Sequence, residues 1–250
     1  MAKVSVNILT RNRKDLLKKC LDSVSKQSFK DVELIVINDG STDGTLEEIS
    51  NIKFQIPNKI INHKVSVGIT LSRQEALMYS SGDYIAILDD DDEWIDKDKL
   101  LKQVEYLDKY PEVVLAGGGI KTELGSRNYE LRMRTEGDIE IRNSMLYRNN
   151  FFTSTVMFRR QEALDVGGFE QDEIDLAEDY DLWLRLGKVG KMRNFQEVFT
   201  SYRKPVYNKE KLLKFYEKQQ KLIFRHKHDY PFYFFAALIL KLRTLYEKIF

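Results

Sequence analysis

The sequence predicts an α/β fold: a mostly parallel sheet with flanking helices, followed by a helical tail. Three observations carry this expectation. Strand-like and helix-like segments alternate from the first residues to Pro111. Two of the strand-like segments are apolar almost throughout, as strands covered on both faces of a parallel sheet are. Polar clusters follow directly after three strands, at the edge where open α/β sheets bind ligands.

Residues 4–9 are rich in β-branched side chains and suit a first strand. Leu16, Leu17, Cys20, Leu21 and Val24 then recur at helical spacing. Residues 33–37, Glu-Leu-Ile-Val-Ile, form a second, nearly all-apolar strand. Residues 38–44 read as a turn, with Thr42 or Asp43 placed to cap a helix running through Ile49. A helix over 70–79, a turn at Ser81-Gly82-Asp83 and a buried strand over 84–88 come next. Leu100, Leu101, Val104 and Leu107 mark a helix that ends before Pro111. Repeated units of this kind imply right-handed crossovers.

Beyond Val113 the pattern loosens. Residues 113–116 read as a strand leading into Gly117-Gly118-Gly119, and 122–143 as a hairpin or mobile loop. A strand over 154–158 and a helix over 176–186 complete the pattern. No repeat, low-complexity segment or Pro-rich linker interrupts it. One domain over residues 1–207 and a helical tail over 208–250 are expected.

The chain has 250 residues, 42% hydrophobic and 32% charged, which is ordinary globular composition with length for a buried core. Its 40 Lys and Arg face 39 Asp and Glu, so no global charge draws it to nucleic acid, which is not an expected partner. The single Cys20 has no partner for an internal disulfide and lies on an apolar helix face, so burial in a reducing compartment is expected. No signal peptide precedes the first strand. No apolar run reaches the roughly 18 residues of a membrane span. The expected location is the cytoplasm.

The strand-end clusters are Thr10-Arg11-Asn12-Arg13, Asn38-Asp39-Gly40-Ser41 and Asp89-Asp90-Asp91-Asp92. An isolated acidic run is ordinarily a solvated turn. This one continues from a buried strand through Leu88 and is anchored beyond by Trp94. Four adjacent carboxylates repel one another unless a cation neutralises them. Hard oxygen ligands suit Mg²⁺ or Mn²⁺, which use one or two carboxylates together with substrate phosphates. An EF-hand is excluded, because Trp94 falls where that loop needs glycine. His63, His226 and His228 form no set with metal-ligand spacing near the run and receive no role. Gly117-Gly118-Gly119 lacks the spacing of a dinucleotide or phosphate loop.

Four segments together resemble glycosyltransferase family 2. They are Val-Ser-Val-Asn-Ile-Leu-Thr (4–10), Ile-Val-Ile-Asn-Asp-Gly-Ser-Thr-Asp-Gly-Thr (35–45), Gly-Asp-Tyr-Ile-Ala-Ile-Leu-Asp-Asp-Asp-Asp-Glu-Trp (82–94) and Ala-Glu-Asp-Tyr-Asp-Leu-Trp-Leu-Arg-Leu (177–186). The resemblance covers residues 3–205 and implies the GT-A fold, a nucleotide-sugar donor and inversion at the anomeric carbon.

By the same resemblance, Thr10 and Asp39 line the nucleoside pocket, with Asp39 accepting from the imide of uracil or thymine. Asn38 stands where many relatives carry Asp, and Ser66 where an asparagine is common. Residues 68–73 match the segment whose arginine, here Arg73, lies near the donor diphosphate. Asp89 and Asp91 align with the Asp-x-Asp motif. Asp91 is then the direct ligand of Mn²⁺ or Mg²⁺, Asp89 supports the ribose or the ion's water shell, Asp92 is a second ligand and Asp90 is the least constrained. Asp179 is the general base toward the acceptor hydroxyl, and Glu178 orients the acceptor or the helix. A carboxylate pair at a helix N-terminus also has a plain electrostatic explanation in the helix dipole. Gly167-Gly168-Phe169 matches the turn that positions this segment. A UDP-sugar donor and a glycan or lipid-linked acceptor of surface polysaccharide or glycolipid synthesis are the implied partners.

Residues 232–240 are apolar without a break, and basic residues Lys241, Arg243 and Lys248 follow among further apolar ones. The segment is too short to cross a bilayer. It suits a helix lying on the inner face of the cell membrane, or one packed on its own domain or on a partner subunit of a homodimer. The transmembrane helices and Gln-x-x-Arg-Trp motif of processive relatives are absent, which points to transfer of one sugar. Two rivals stay open. A nucleotidyltransferase would show a glycine-rich loop after the first strand, where residues 9–13 contain no glycine. A non-catalytic nucleotide-sugar or glycan-binding module would not need Asp179 or the acidic run.

Overall fold

A computed structural model of the chain describes residues 2–52, 55–124, 128–169, 177–203 and 208–249. The first half alternates as its sequence predicts: β1 (Val4–Thr10), α1 (Lys14–Ser25), β2 (Val32–Asn38), α2 (Thr45–Asn51), β3 (Asn58–Asn62), α3 (Ile69–Tyr79) and β4 (Tyr84–Ile87). The short β5 (Glu93–Trp94) and α4 (Lys99–Lys109) follow. The second half holds β6 (Val113–Glu123), β7 (Tyr129–Arg132), α5 (Asp138–Ser144), β8 (Met157–Arg159), α6 (Arg160–Asp165), α7 (Glu178–Val189) and β9 (Lys191–Tyr202). Two helices, α8 (Lys209–Arg225) and α9 (Tyr233–Ile249), form the tail.

One sheet runs in the order β3-β2-β1-β4-β8-β6-β9-β5, with β7 added to β6. The pairs β3-β2, β2-β1 and β1-β4 are parallel, because a helix returns the chain along the faces between them. Direction reverses at β8, which is antiparallel to both β4 and β6. Val4, Val6, Ile8, Leu34, Val36, Ile85 and Ile87 are buried, as strands covered on both faces require.

The structure refines several expectations. The turn before α2 is capped by Gly44 at φ 89°, while the Asp43 carboxylate accepts the Thr45 N–H at 3.0 Å. Strand β6 continues through its three glycines, shifting register against β9 there: a Cβ on Gly118 would run into the Phe199 ring, so the run serves close sheet packing. Residues 122–143 contain the β6–β7 hairpin and also α5, whose polar sequence concealed it. The strand expected over 154–158 is shortened by a 3-10 turn at Thr153–Thr155. The helix expected over 176–186 begins at Glu178, and Leu176 lies outside the described residues. The expected boundary at 207 also borders undescribed residues, 204–207. Cys20 is fully buried, in line with expectation.

The tail packs on the domain. Leu222, Ile223, Tyr230, Ala236 and Leu240 share one buried cluster with Tyr180, Leu182, Trp183 and Leu186 of α7. The Tyr230 hydroxyl donates to the Leu184 carbonyl at 2.7 Å. Among the described residues no helix is long and apolar enough to cross a membrane. Because Leu222 is fully buried, Leu222→Ala is expected to destabilise the protein by about 2–5 kcal/mol in urea unfolding. A loss below about 1 kcal/mol would show that the tail contributes no core.

Candidate active site

The register of the parallel strands assembles the site. Thr10 sits opposite Asn38, and Asn38 opposite Asn62, so three strand ends lie side by side. The buried Thr10 accepts the Asp39 N–H on its carbonyl at 2.9 Å. Four donors then converge on the Asp39 carboxylate. Val67 N–H reaches Oδ1 at 2.8 Å and His63 Nδ1 at 2.9 Å, while Ser66 Oγ reaches Oδ2 at 2.6 Å and Gly68 N–H at 3.1 Å. Burial alone would raise the Asp39 pKa; these donors outweigh it and bring the value down to about 2. Gly40 permits the loop to approach, since a Cβ there would stand 2.5 Å from the Ser66 nitrogen. Asp39 therefore fixes the segment that opens α3. His63 extends the contact to Glu75 at 2.5 Å. Its role escaped the sequence because both partners come from other segments of the chain.

Helix α3 delivers Arg73, which is only 5% exposed. Its Nη2 donates to Asp89 Oδ1 at 3.0 Å and its Nε to Glu178 Oε1 at 3.1 Å. Arg73, expected beside a diphosphate, joins the acidic run to the head of α7 through its guanidinium. Burial opposes its charge, yet the facing carboxylates of Asp89, Glu178 and Asp179 hold its pKa above the ordinary arginine value.

The four aspartates alternate in direction. Asp89 and Asp91 face solvent, with side chains 34% and 23% exposed. Asp90 and Asp92 are buried. Asp92 Oδ2 accepts from Ser154 Oγ at 2.5 Å and Oδ1 from the Arg203 N–H at 2.9 Å. Burial pushes its pKa up to about 8, and that of Asp90 up to about 6. Each Asp92 oxygen thus accepts one hydrogen bond from the protein. Arg13 Nη1 lies 3.3 Å from Asp90 Oδ1 and also pairs with Asp91.

Among the described residues no three His, Cys, Asp or Glu side chains converge into a self-sufficient metal cage. Two solvent-facing carboxylates fit a hard cation that completes its shell with phosphate oxygens and water.

At the head of α7, Glu178 is buried and Asp179 half-buried. Burial and the neighbouring Asp179 charge raise the Glu178 pKa to about 7, against the pull of Arg73. Asp179 Oδ2 accepts from the Thr153 hydroxyl, and Oδ1 from the Tyr180 N–H at 2.6 Å. The helix is braced from behind. Arg185 donates to the carbonyls of Val166 at 2.6 Å and Gly168 at 2.7 Å, and to Asp181 at 2.7 Å. Gly168, at φ +67°, leaves room for Gln74, whose Oε1 accepts the Phe169 N–H at 2.7 Å. From the tail, His226 Nε2 lies 3.1 Å from Asp181 Oδ1 and Nδ1 3.0 Å from Asp229. Arg13, Gln74, Thr153, Ser154 and His226 were not assigned from the sequence. Only Arg13 carried a signal, as part of a strand-end cluster.

The profile of Glycosyl transferase family 2 matches residues 5–168. The chain belongs to this family. An uncharacterized glycosyltransferase of Haemophilus influenzae is 30% identical over 232 residues, covering 83% of this chain and 69% of that protein. The amylovoran biosynthesis glycosyltransferase AmsE of Erwinia amylovora is 24% identical over 192 residues, covering 76% and 71%. The chain spans only 48% of the length of its mycobacterial relatives, among them protein Rv1520 of Mycobacterium tuberculosis.

In structure, S. aureus TarS residues 1–349 with UDP-GlcNAc superposes at a TM-score of 0.73 with 19% identity, covering 98% of this chain and 72% of that one. The mannosyltransferase PcManGT from Pyrobaculum calidifontis, in complex with GDP-Man and Mn²⁺, superposes at 0.68 with 18% identity, covering 96% and 68%. These likenesses establish the GT-A fold for this family 2 member.

Arg73 offers a direct test of the site's electrostatics. Arg73→Met strands Glu178 without its cation and is expected to cost about 3–5 kcal/mol at neutral pH in urea unfolding. A stability equal to the parent would refute the bridge.

Proposed function

We propose that the chain transfers one sugar, with inversion, from a nucleotide-diphosphate donor to a hydroxyl of a glycan or lipid-linked acceptor. The observation that carries this reading is the placement of a half-buried Asp179 beside a strand-end acidic run, with Arg73 joining the two. The acceptor hydroxyl binds within hydrogen-bond reach of Asp179. Its oxygen attacks C1 from the face opposite the diphosphate, its proton passes to Asp179, and the C1–oxygen bond to the diphosphate breaks. Glu178 holds Arg73 and the helix head in place. Asp91 would hold Mn²⁺ or Mg²⁺, with Asp89 supporting the ribose or the ion's water shell, and the ion would screen the charge that develops on the departing diphosphate.

The nucleoside lies against Thr10 and Asp39. A base imide reaches Asp39 by displacing one of its four donors, and the rotatable Ser66 hydroxyl is the one able to turn away. A UDP-sugar fits this pairing, in keeping with the UDP-GlcNAc bound to TarS. The likeness to AmsE supports a role in surface polysaccharide synthesis.

The tail seats the enzyme on the inner face of the cell membrane. Residues 208–250 carry ten Lys and Arg against four Asp and Glu, whereas the whole chain is nearly balanced at 40 against 39. With Ala236 and Leu240 docked, α9 still exposes Phe234, Phe235, Leu238, Leu242, Leu245 and Tyr246. A basic, apolar helix face suits an anionic lipid surface.

Asp179→Asn is expected to retain nucleotide-sugar affinity while losing about 10²-fold or more in turnover. Asp91→Ala should abolish transfer and the Mn²⁺-dependent part of donor binding in calorimetry. Wild-type turnover in the first variant would remove Asp179 as base; metal-dependent binding in the second would remove Asp91 as ligand. Phe234→Ser with Leu238→Ser, both at exposed positions, should release the folded protein from phosphatidylglycerol vesicles in a sedimentation assay. Undiminished sedimentation would refute the membrane face.

A further inference from the structure

Three consecutive residues act as a ruler across the site. Ser154 contacts the acidic run through Asp92 and the Asp89 N–H, and Thr153 donates to Asp179. Phe152 carries guanidinium groups on its ring: Arg134 at 4.4 Å and Arg132 at 5.4 Å from the centroid. Tyr202 stands on the same ring at 6.4 Å. Arg148 adds a third positive charge close enough to act on Arg134.

This cluster differs from the arginines that hold the fold. Arg142, Arg185 and Arg193 each face a carboxylate. Among the described residues, Arg132, Arg134 and Arg148 have no ion-pair partner, and the buried Nε of Arg134 donates to nothing. Burial pushes the Arg134 pKa down to about 10, and the like charges of Arg148 and Arg132 add to that push. Concentrating unpaired positive charge in this way costs stability, and its placement on Phe152, next in the chain to the Thr153 that donates to Asp179, calls for an anion.

We infer that Arg132, Arg134 and Arg148 form an acceptor subsite for a phosphate group, so that the sugar acceptor is a phosphate ester or diphosphate. The inference rests on the glycosyltransferase reading and names its acceptor class. A phosphate matches guanidinium groups gathered in one place, since each fork is able to donate two parallel hydrogen bonds. The donor diphosphate is a different group in a different place. In the proposed reading it belongs to Asp91 and to Asp89, which Ser154 contacts, whereas Arg132 and Arg134 stack on Phe152. An acceptor anchored there by its phosphate presents a nearby hydroxyl to the base.

Calorimetry on the full chain, saturated with UDP and Mn²⁺ to fill the donor site, tests this. Glycerol phosphate and dodecyl phosphate serve as probes. Each is expected to bind the parent protein and to lose about tenfold or more in affinity in Arg132→Gln/Arg134→Gln. The double variant should bind UDP–Mn²⁺ as the parent does, and should melt no lower, since it sheds repulsion. Stronger binding of dodecyl phosphate assigns the phosphate to a lipid carrier; stronger binding of glycerol phosphate assigns it to a soluble or polymeric acceptor. Absence of probe binding with UDP–Mn²⁺ bound, or equal binding by the variant, overturns the subsite. Failure of the parent to bind UDP–Mn²⁺ instead overturns the proposed donor and metal assignment on which the inference rests.

Discussion

The guanidinium of Arg73 is the contact on which the geometry of the site depends. It is buried on α3, yet it reaches the end of β4 through Asp89 and the head of α7 through Glu178. Those two carboxylates lie far apart in the chain and would repel each other if left alone. A charge-paired bridge in a low-dielectric setting keeps them close and allows little variation in distance. The spacing between the acidic run and the proposed base is therefore set by one side chain. Asp39 performs a related task one layer away, gathering the loop that starts α3 and so fixing where Arg73 begins.

The acidic run shows how one short segment divides its labour. Its four aspartates sort by direction into two that meet solvent and two that hold the protein together. The inward pair tie the run to Arg13 ahead of α1, to the turn at Thr153–Thr155 and to the end of β9. The outward pair are thereby held rigid without being used up. In the proposed function, carboxylates held in this way need little rearrangement when a cation and its phosphates arrive.

The parallel half of the sheet was legible because its strands are apolar on both faces and its helices keep a regular spacing. Strand β3 was missed because Asn58–Asn62 is short, polar at both ends and largely exposed. Strand β9 mixes charged and aromatic residues without clean alternation, since its two faces meet different surroundings along its length. In the site, the carboxylates could be named from motifs, but their orientation could not. Whether Asp92 faces in or out is decided by Ser154 and Arg203, which the chain brings back only after long excursions. The same holds for His63 and Gln74, ordinary residues by sequence whose importance lies in what folding places beside them.

The tail has a consequence beyond its surface. Its histidine His226 grips Asp181, two positions along the helix from Asp179, and Tyr230 holds the carbonyl of Leu184 on the same helix. The outer faces of α9 and the head of α7 are thus two ends of one short mechanical linkage. A displacement of the tail is transmitted to the helix that carries the proposed base rather than dissipated in a loose appendage. The position of the tail and the alignment of Asp179 become properties of the same strut.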